Sequence, residues 1–292
     1  MNGSLFYLNL VMNGLVQGLV IGLAALALTL VFAVARFPNA ATGDLMTVGA
    51  YAGIGVQALN VRSVIVQGAA AILACSVLAI GQYWFVLRYL RGRGLVSLLL
   101  ASIGLALATR GALSFFVGQD QYLFNTPIMR PYVIAGLRVQ VVDLWLAVAS
   151  LVCVTATFAM LFLTPVGRRM RAIADNAELA RASGIRMQRV MIPLWAAVGA
   201  ICGVAGMILG IKTVVLPEAG WHILLPAFAA MVLGGLGNPI GAVVAGILLG
   251  VVQELSTPFV GFTYKIALSF IVLAVILTVR PQGLFGSAEV VR

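Results

Sequence analysis

The stretch that decides the fold is residues 10–34, which read LVMNGLVQGLVIGLAALALTLVFAV and contain no charged side chain. A helix needs about 20 predominantly apolar residues to cross the hydrocarbon core of a membrane, and this run exceeds that length. It is also too long for the apolar core of a secretory signal peptide, and no basic residue precedes it. We therefore interpret residues 10–34 as a retained membrane-spanning helix.

The same composition extends over the whole chain. Hydrophobic residues make up 62% of the 292 residues and charged residues only 9%, whereas soluble domains contain roughly 25% charged residues. Further apolar runs follow at 43–60, 64–87, 95–117, 141–163, 191–212, 222–236, 238–257 and 264–279. The sequence thus predicts an all-α integral membrane protein: a single domain over residues 1–292, built as a polytopic helical bundle of about 8–9 transmembrane segments with broken helices.

The formal net charge of +10 is unevenly distributed. Basic chains often bind nucleic acid, but here most basic residues lie in the gaps between apolar runs. The enrichment of Lys and Arg in cytoplasmic loops explains this pattern better, so we expect a lipid membrane and no nucleic acid as partner. If residues 164–190 are cytoplasmic, the loop around 88–93 is cytoplasmic too. Residues 118–140 are then external, an irregular loop with room for a short interfacial helix.

Small residues recur at helical spacing in three runs. The series are Gly14, Gly18 and Gly22; Gly199, Gly203, Gly206 and Gly210; and Gly246 and Gly250. Because no hydrophobic force drives helices together in lipid, such residues let helix backbones approach closely. The spacing predicts a tightly packed bundle whatever its function.

The loop at 164–190 reads TPVGRRMRAIADNAELARASGIRMQRV. Its apolar groups follow a helical stripe over 168–182, and Gly184 suits a helix C-cap. Two ion pairs at helical spacing are expected, Arg171–Asp175 and Glu178–Arg181. The pattern predicts a short helix outside the membrane with an alanine-rich surface. Such a helix could dock in a partner's groove or lie on the inner leaflet, held by its arginines.

Glycine and proline interrupt the apolar pattern at 38–44 and at 234–241. Non-helical backbone is tolerated at membrane depth only beside a cavity or within protein, and paired breaks point to a translocation site. Two tight cytoplasmic turns are the alternative. For Asp44, capping of a helix N-terminus competes with a role on the path. For Glu254 and Arg110, a place on a watery path competes with a pair across the bundle. The candidate path residues are Thr42, Gly43, Asp44, Gly234, Gly235, Gly237 and Glu254.

The sequence lacks the usual combinations of catalytic residues. It contains one histidine, and its three cysteines lie singly inside apolar runs, so we predict no catalytic site and no metal site. No G-x-x-x-x-G-K-[ST] motif is present to bind ATP. We therefore expect no enzyme activity and no cofactor in this chain.

Several stretches resemble the branched-chain amino-acid ABC transporter permease family. They are NGLVQGLVIGLAALALTLVFAV at 13–34 with GDLMTVGAY at 43–51, GRRMRAIADNAELARASGI at 167–185, AFAAMVLGGLGNPIGAVVAGILLG at 227–250 and RPQGLFG at 280–286. Their order and spacing match the family over the whole chain, and the length suits the shorter of its two permease types. One departure from the family lies at Asn39–Gly43. The family usually has Asn-Phe-Ala-His-Gly there, and this chain lacks the aromatic residue and the histidine. The transported solute therefore includes, as candidates, small solutes related to leucine, isoleucine and valine.

The resemblance implies a permease subunit of an ABC importer in the bacterial inner membrane. Its implied partners are a second homologous permease, ABC ATPase subunits that bind the ATP, and a periplasmic solute-binding protein. The stretch Glu178-x-Ala180-x-x-x-Gly184 resembles the loop by which such permeases engage their ATPases. The implied coupling residues are Arg171, Ala174, Ala177, Glu178, Ala180 and Gly184.

Two other function classes are weighed against an importer. A stand-alone secondary transporter would use membrane-embedded carboxylates for ion coupling, and only Asp44 and Glu254 are candidates. It would also leave the 164–190 loop without a function. An intramembrane enzyme would need a catalytic set that the sequence does not offer.

Overall fold

The computed structural model describes residues 3–125, 132–134, 137–280 and 282–286. Most of these residues are helical. The helices are α1 Gly3–Ala35, α2 Thr42–Ala58, α3 Val64–Gln82, α4 Arg88–Leu90, α5 Leu95–Val117, α6 Val141–Leu163, α7 Pro165–Asp175, α8 Ala177–Ala182, α9 Met187–Lys212, α10 Ala219–Gly234, α11 Pro239–Val260 and α12 Lys265–Val279. A π-helical turn at Tyr83–Leu87 joins α3 to α4, so the chain is continuous helix from Val64 to Leu90.

Each predicted apolar run forms a helix, which confirms a helical multi-pass membrane protein. The predicted number of spans is not confirmed. Within the described residues, 6 helices are long and apolar enough to cross a membrane. The remaining runs form α2, α10 and α12, which have 17, 16 and 15 residues. Two of these helices, α2 and α10, are short because they begin inside the bundle.

The loop at 118–140 differs from its prediction. Strands β1 Tyr132–Ile134 and β2 Leu137–Val139 pair antiparallel, with Tyr132 opposite Val139. No helix forms in the described parts of this loop, 118–125, 132–134 and 137–140. The remainder of the loop lies outside the described residues.

The centre of the bundle is formed by α1 and α9. In the most apolar window of each helix, 83% of α1 and 72% of α9 is buried, against 17% of α5. The glycine series explain how the backbones come so close. A Cβ atom on Gly250 would overlap the Cα of Gly18, and one on Gly18 would lie 2.7 Å from the Cα of Ile247. The predicted close packing is thereby confirmed for α1 against α11.

Several arginines lie together at one end of the bundle. The Arg36 side chain, just after α1, donates to the carbonyl of Ala174 in α7. Arg88 and Arg189 line one groove, and Gly237 lies beside Ala33, level with the end of α1. We call this end the arginine-rich end, and the enrichment of Arg in cytoplasmic loops predicts that it is cytoplasmic.

Candidate functional site

Helix α2 begins deep inside the bundle. The thiol of Cys75 donates to the carbonyl of Leu45, in the first turn of α2, over 3.0 Å. From Cys75 the helix continues to Leu90 at the arginine-rich end, a distance of about 22 Å at about 1.5 Å per residue. The first turn of α2 therefore lies about halfway along the bundle, well away from its arginine-rich end.

The non-helical segment 36–41, which leads from α1 to the start of α2, forms several hydrogen bonds. The Ala40 N–H donates to the Ser102 hydroxyl over 3.1 Å, and the Ala41 N–H donates to the Asn39 side chain over 3.2 Å. The Thr42 hydroxyl donates to the Asn39 carbonyl over 2.8 Å. These bonds satisfy polar groups that would otherwise be orphaned at membrane depth.

Helix α10 begins at the same depth, against the start of α2. The Gly220 N–H donates to the Thr47 hydroxyl over 3.0 Å. A Cβ atom on Gly220 would overlap the carbonyl of Gly43, and one on Gly43 would lie 2.7 Å from the carbonyl oxygen of Gly220. We call this reciprocal backbone contact the Gly43–Gly220 crossing.

The two helices reach the crossing in related ways. A long helix, a non-helical segment and a shorter helix follow one another in α1, 36–41 and α2, and again in α9, 213–218 and α10. The first long helix ends at the arginine-rich end, whereas the second begins there. Discontinuous helices from two halves of opposite orientation, whose N-termini carry partial positive charge, are typical of transporter binding sites.

An ion pair lies beside the crossing. The Asp44 side chain is fully buried, and Arg110 of α5 holds it through Nε–Oδ1 and Nη2–Oδ2 contacts of 3.0 and 3.4 Å. The Arg110 guanidinium also lies 5.0 Å from the centroid of the Trp221 ring. Ala41, not Asp44, occupies the N-cap position of α2. Asp44 is thus one half of a two-contact pair between helices.

His222 marks the open side of the crossing. It lies two residues beyond Gly220, near the middle of the bundle, and it is exposed. An ionisable side chain that faces lipid at this depth is costly. The side of α10 that carries His222 therefore faces a watery path or another subunit. Sequence reasoning missed Gly220 because the apolar run was taken to begin only after it.

The second predicted break lies far from the first. Gly234, Gly235 and Gly237 form the turn between α10 and α11, and the last two have φ of +99° and +85°. The Leu284 N–H donates to the Leu233 carbonyl over 2.7 Å, which packs residues 282–286 against this turn. Since α10 is about 24 Å long, the turn and the crossing are well separated. The tight-turn alternative therefore describes this break better.

Glu254 is also separate from the crossing. Its carboxylate accepts from Lys265 Nζ over 2.5 Å, which ties α11 to the start of α12. Its Cβ lies close to Gly14, near the beginning of α1. Both contacts lie toward the end opposite the arginine-rich end, away from the Gly43–Gly220 crossing.

The loop at 164–190 forms two helices where one was predicted. Asn176 ends α7, and its side chain accepts from the N–H groups of Glu178 and Leu179, each over 3.0 Å, which caps α8. Gly184 follows α8 with φ +81°, and the Ile185 N–H donates to the Ala180 carbonyl over 3.0 Å. The predicted C-cap glycine is therefore correct, whereas the uninterrupted helix is wrong.

The outward face of this loop is not the alanine face. Ala174 and Ala177 are half-buried and Ala180 is buried, whereas Leu179 is 64% exposed. Arg171 and Glu178 are also exposed. Neither predicted ion pair forms among the residues of this fully described loop, because both would join solvent-exposed groups, for which pairing gains little.

Comparison with known proteins places this architecture among transport proteins. The family model described as "Branched-chain amino acid transport system / permease component" matches residues 10–279. The high-affinity branched-chain amino acid transport system permease protein LivH of Escherichia coli K12 is 26% identical, over 98% of this chain and 97% of its own length. BraD of Pseudomonas aeruginosa is also 26% identical, over 97% of each chain.

Among solved structures, PsaBC from Streptococcus pneumoniae, in complex with Fab, resembles the chain with a TM-score of 0.50. The match covers 92% of this chain and 91% of that one, at 13% sequence identity. At this identity the likeness concerns the fold alone.

Proposed function

The chain belongs to the branched-chain amino acid transport permease family, and from that premise we propose that it is the permease subunit of an ATP-driven importer for branched-chain or related amino acids. The family resemblance found in the sequence is thereby confirmed. The observation that best supports the proposal is the Gly43–Gly220 crossing, where two helix N-termini meet near the middle of the membrane. Such a site can receive a small polar solute without exposing it to lipid.

We place the translocation path on the open side of this crossing. Thr42 and Asp44 are fully buried, so they shape the site and do not touch the solute in this conformation. The Arg110 side chain is 22% exposed and His222 is exposed. The guanidinium and the helix N-termini favour the carboxylate of an amino acid. In this proposal Gly234, Gly235, Gly237 and Glu254 support the bundle from outside the path.

A second, homologous permease is the proposed neighbour on the open side. A mid-membrane histidine must be screened from lipid, and α5 leaves most of its surface uncovered within this chain. A solute-binding protein would deliver the amino acid at the end opposite the arginine-rich end. The bacterial inner membrane is the proposed location, since such importers draw ATP from the cytoplasm.

The α7–α8 loop is the proposed docking element for the ATPase subunits. A Cβ atom on Gly167 of α7 would overlap the carbonyl of Leu161 in α6, and Arg36 binds the carbonyl of Ala174. These contacts join the loop firmly to α6 and to the end of α1, so a movement of the loop can reach the helices beside the path. Of the coupling residues implied by the family, Arg171, Glu178 and Gly184 are exposed for docking, while Ala174, Ala177 and Ala180 support them from below.

Uptake of leucine by the complete complex in proteoliposomes should require ATP and the solute-binding protein, and Leu179→Asp should abolish it. Leu179 is the large apolar side chain on the outward face of α8, and a carboxylate there would oppose burial in a partner's groove. We expect a loss of at least tenfold in uptake, with the ATPase subunits dissociated or hydrolysing ATP without transport. Leucine uptake, ATP hydrolysis and subunit content are measured on the same preparations.

Leu179→Met is the matched control, because it keeps the apolar volume. It should assemble and transport like the parent. Uptake driven by an ion gradient without ATP would contradict the importer function. Normal ATP-driven uptake by Leu179→Asp would contradict only the docking role and would favour a loop that lies on the membrane surface.

A further inference from the structure

Two neighbouring cavities at the arginine-rich end are lined by unpaired cations. One has a volume of about 210 Å³ and is lined by Tyr83, Trp84, Arg88, Gln188, Arg189 and Ile192. The other, of about 380 Å³, is lined by Arg169, Ser183, Gly184, Ile185, Arg186, Arg189 and Val190. Arg189 lines both cavities, and we call the two together the arginine groove.

The arginine groove contains no negative charge of its own. No carboxylate lines either cavity, and Arg88, Arg169, Arg186 and Arg189 form no ion pair among the described residues. The start of α9 at Met187 adds to the positive potential, since no side chain caps it. Four guanidiniums and an uncapped helix start give the groove a strongly positive potential that favours an anion.

Cations are crowded beside the groove as well. Burial lowers the pKa of the Arg91 guanidinium, the neighbouring Tyr83 raises it, and the positive charge of Arg181 lowers it. One Arg91 nitrogen is buried without a hydrogen-bond partner. The region thus carries more positive charge than its own side chains balance.

The position of the groove indicates where the anion comes from. Trp84, Phe85 and Tyr89 are 46%, 76% and 68% exposed on the outer side of the α3–α4 helix. The Arg88 guanidinium lies 4.6 Å from the Trp84 ring centroid. Exposed Trp and Tyr at the end of a span are typical of the membrane–water interface. The 210 Å³ cavity therefore opens at the depth of lipid headgroups.

We propose that the arginine groove binds a phosphate-bearing anion, namely the headgroup of an anionic phospholipid from the cytoplasmic leaflet. Arginine presents a planar fork of donors that matches phosphate oxygens, and basic pockets between spanning helices at this depth suit anionic headgroups. A headgroup there would link α4, α9 and, through Arg169, α7. The α7–α8 loop would then be held by lipid as well as by protein.

The test titrates the intact complex, purified in detergent, with phosphatidylglycerol or phosphatidylcholine and counts bound lipids by native mass spectrometry. Phosphatidylglycerol should bind the parent more tightly than phosphatidylcholine. The double substitution Arg88→Gln with Arg189→Gln should weaken phosphatidylglycerol binding roughly 25-fold, because each basic residue near a headgroup contributes about a fivefold effect. Arg88→Lys with Arg189→Lys keeps both charges and should retain most of the affinity.

The matched control is Arg93→Gln with Arg168→Gln, which removes two exposed arginines of the same end that do not line the groove. Equal loss in both double variants would overturn the proposal. Two further outcomes would overturn it without any variant. One is equal affinity of the parent for the two lipids, and the other is displacement of phosphatidylglycerol by millimolar inorganic phosphate, which would assign the groove to a soluble anion.

Discussion

Gly220→Ala is expected to abolish solute uptake, whereas Gly55→Ala should leave uptake at the parent level. The added methyl group on Gly220 would overlap the carbonyl of Gly43. The obstacle is backbone on a packed helix, which cannot move aside as a flexible side chain would, and overpacking of this kind costs about 1–3 kcal/mol or more. Separation of the two helix starts would also reshape the path between them.

Gly55 is the matched control because it lies in α2 and has nothing within 4 Å of its Cβ position. Alanine is the better helix former there by about 1 kcal/mol, so this variant should be no less stable than the parent. Uptake and thermal denaturation are measured for both variants in the assembled complex. Parent-level uptake by Gly220→Ala would mean that the α2 and α10 backbones do not meet as described.

Arg110→Ala is expected to destabilise the bundle strongly and to abolish transport. It would leave the fully buried Asp44 carboxylate without its cation, and breaking a buried pair from one side costs about 3–5 kcal/mol. Removal of both charges, by Asp44→Asn with Arg110→Gln, should restore much of the stability, because two neutral amides can pair with each other. Transport should remain low in the double variant if Arg110 attracts the solute carboxylate.

The readouts are thermal denaturation and uptake for Arg110→Ala, for the single variants Asp44→Asn and Arg110→Gln, and for the double variant. A double-mutant cycle isolates the coupling between the two sites. Stability losses that simply add would contradict the buried pair. A double variant that regains both stability and transport would leave the pair a structural role only.

Much of the fold could be predicted from the sequence, because an apolar run of sufficient length has few options in a membrane. The runs at 95–117 and 141–163 match α5 and α6 residue for residue. The runs at 43–60 and 222–236 were recognised as helices, but composition does not state the depth at which a helix starts. That depth is set by contacts such as Cys75 with Leu45 and Gly43 with Gly220, which join residues distant in sequence.

The dependence on contacts between distant residues also explains why the breaks at 38–44 and 234–241 have different structures. Pro38 and Gly43 lie in a segment that runs from the arginine-rich end into the interior of the bundle. Gly234, Gly235 and Gly237 instead form a turn at the arginine-rich end. Glycine and proline interrupt a helix in both settings, and only the surrounding helices decide which one applies. Asp44 was singled out as a candidate path residue, but its pairing with Arg110 needed the structure, since 66 residues separate the two.

In the α7–α8 loop, a local signal was present and missed. Asn176 precedes Ala177 and Glu178, and Asn is a favoured N-cap residue, so a second helix start was readable there. The orientation of the alanines was harder to foresee, because Ala174 and Ala177 fit a buried or an exposed face equally well. For this reason the sequence did not indicate that Leu179 would be exposed on the outward face of α8.

The central claim is that amino acids pass the open side of the Gly43–Gly220 crossing. The most direct test is the reaction of His222→Cys with a water-soluble methanethiosulfonate reagent in the membrane-embedded complex. Val77→Cys is the control, because Val77 lies near Cys75 at a similar depth and is 69% exposed on the outer side of α3. The reaction is measured above the background of the native cysteines, of which Cys75 and Cys202 are buried. We predict that His222→Cys reacts, that excess transported amino acid slows the reaction, and that Val77→Cys stays unreactive in lipid. An unreactive His222→Cys, or a reaction that is no faster than that of Val77→Cys, would contradict a path at this crossing.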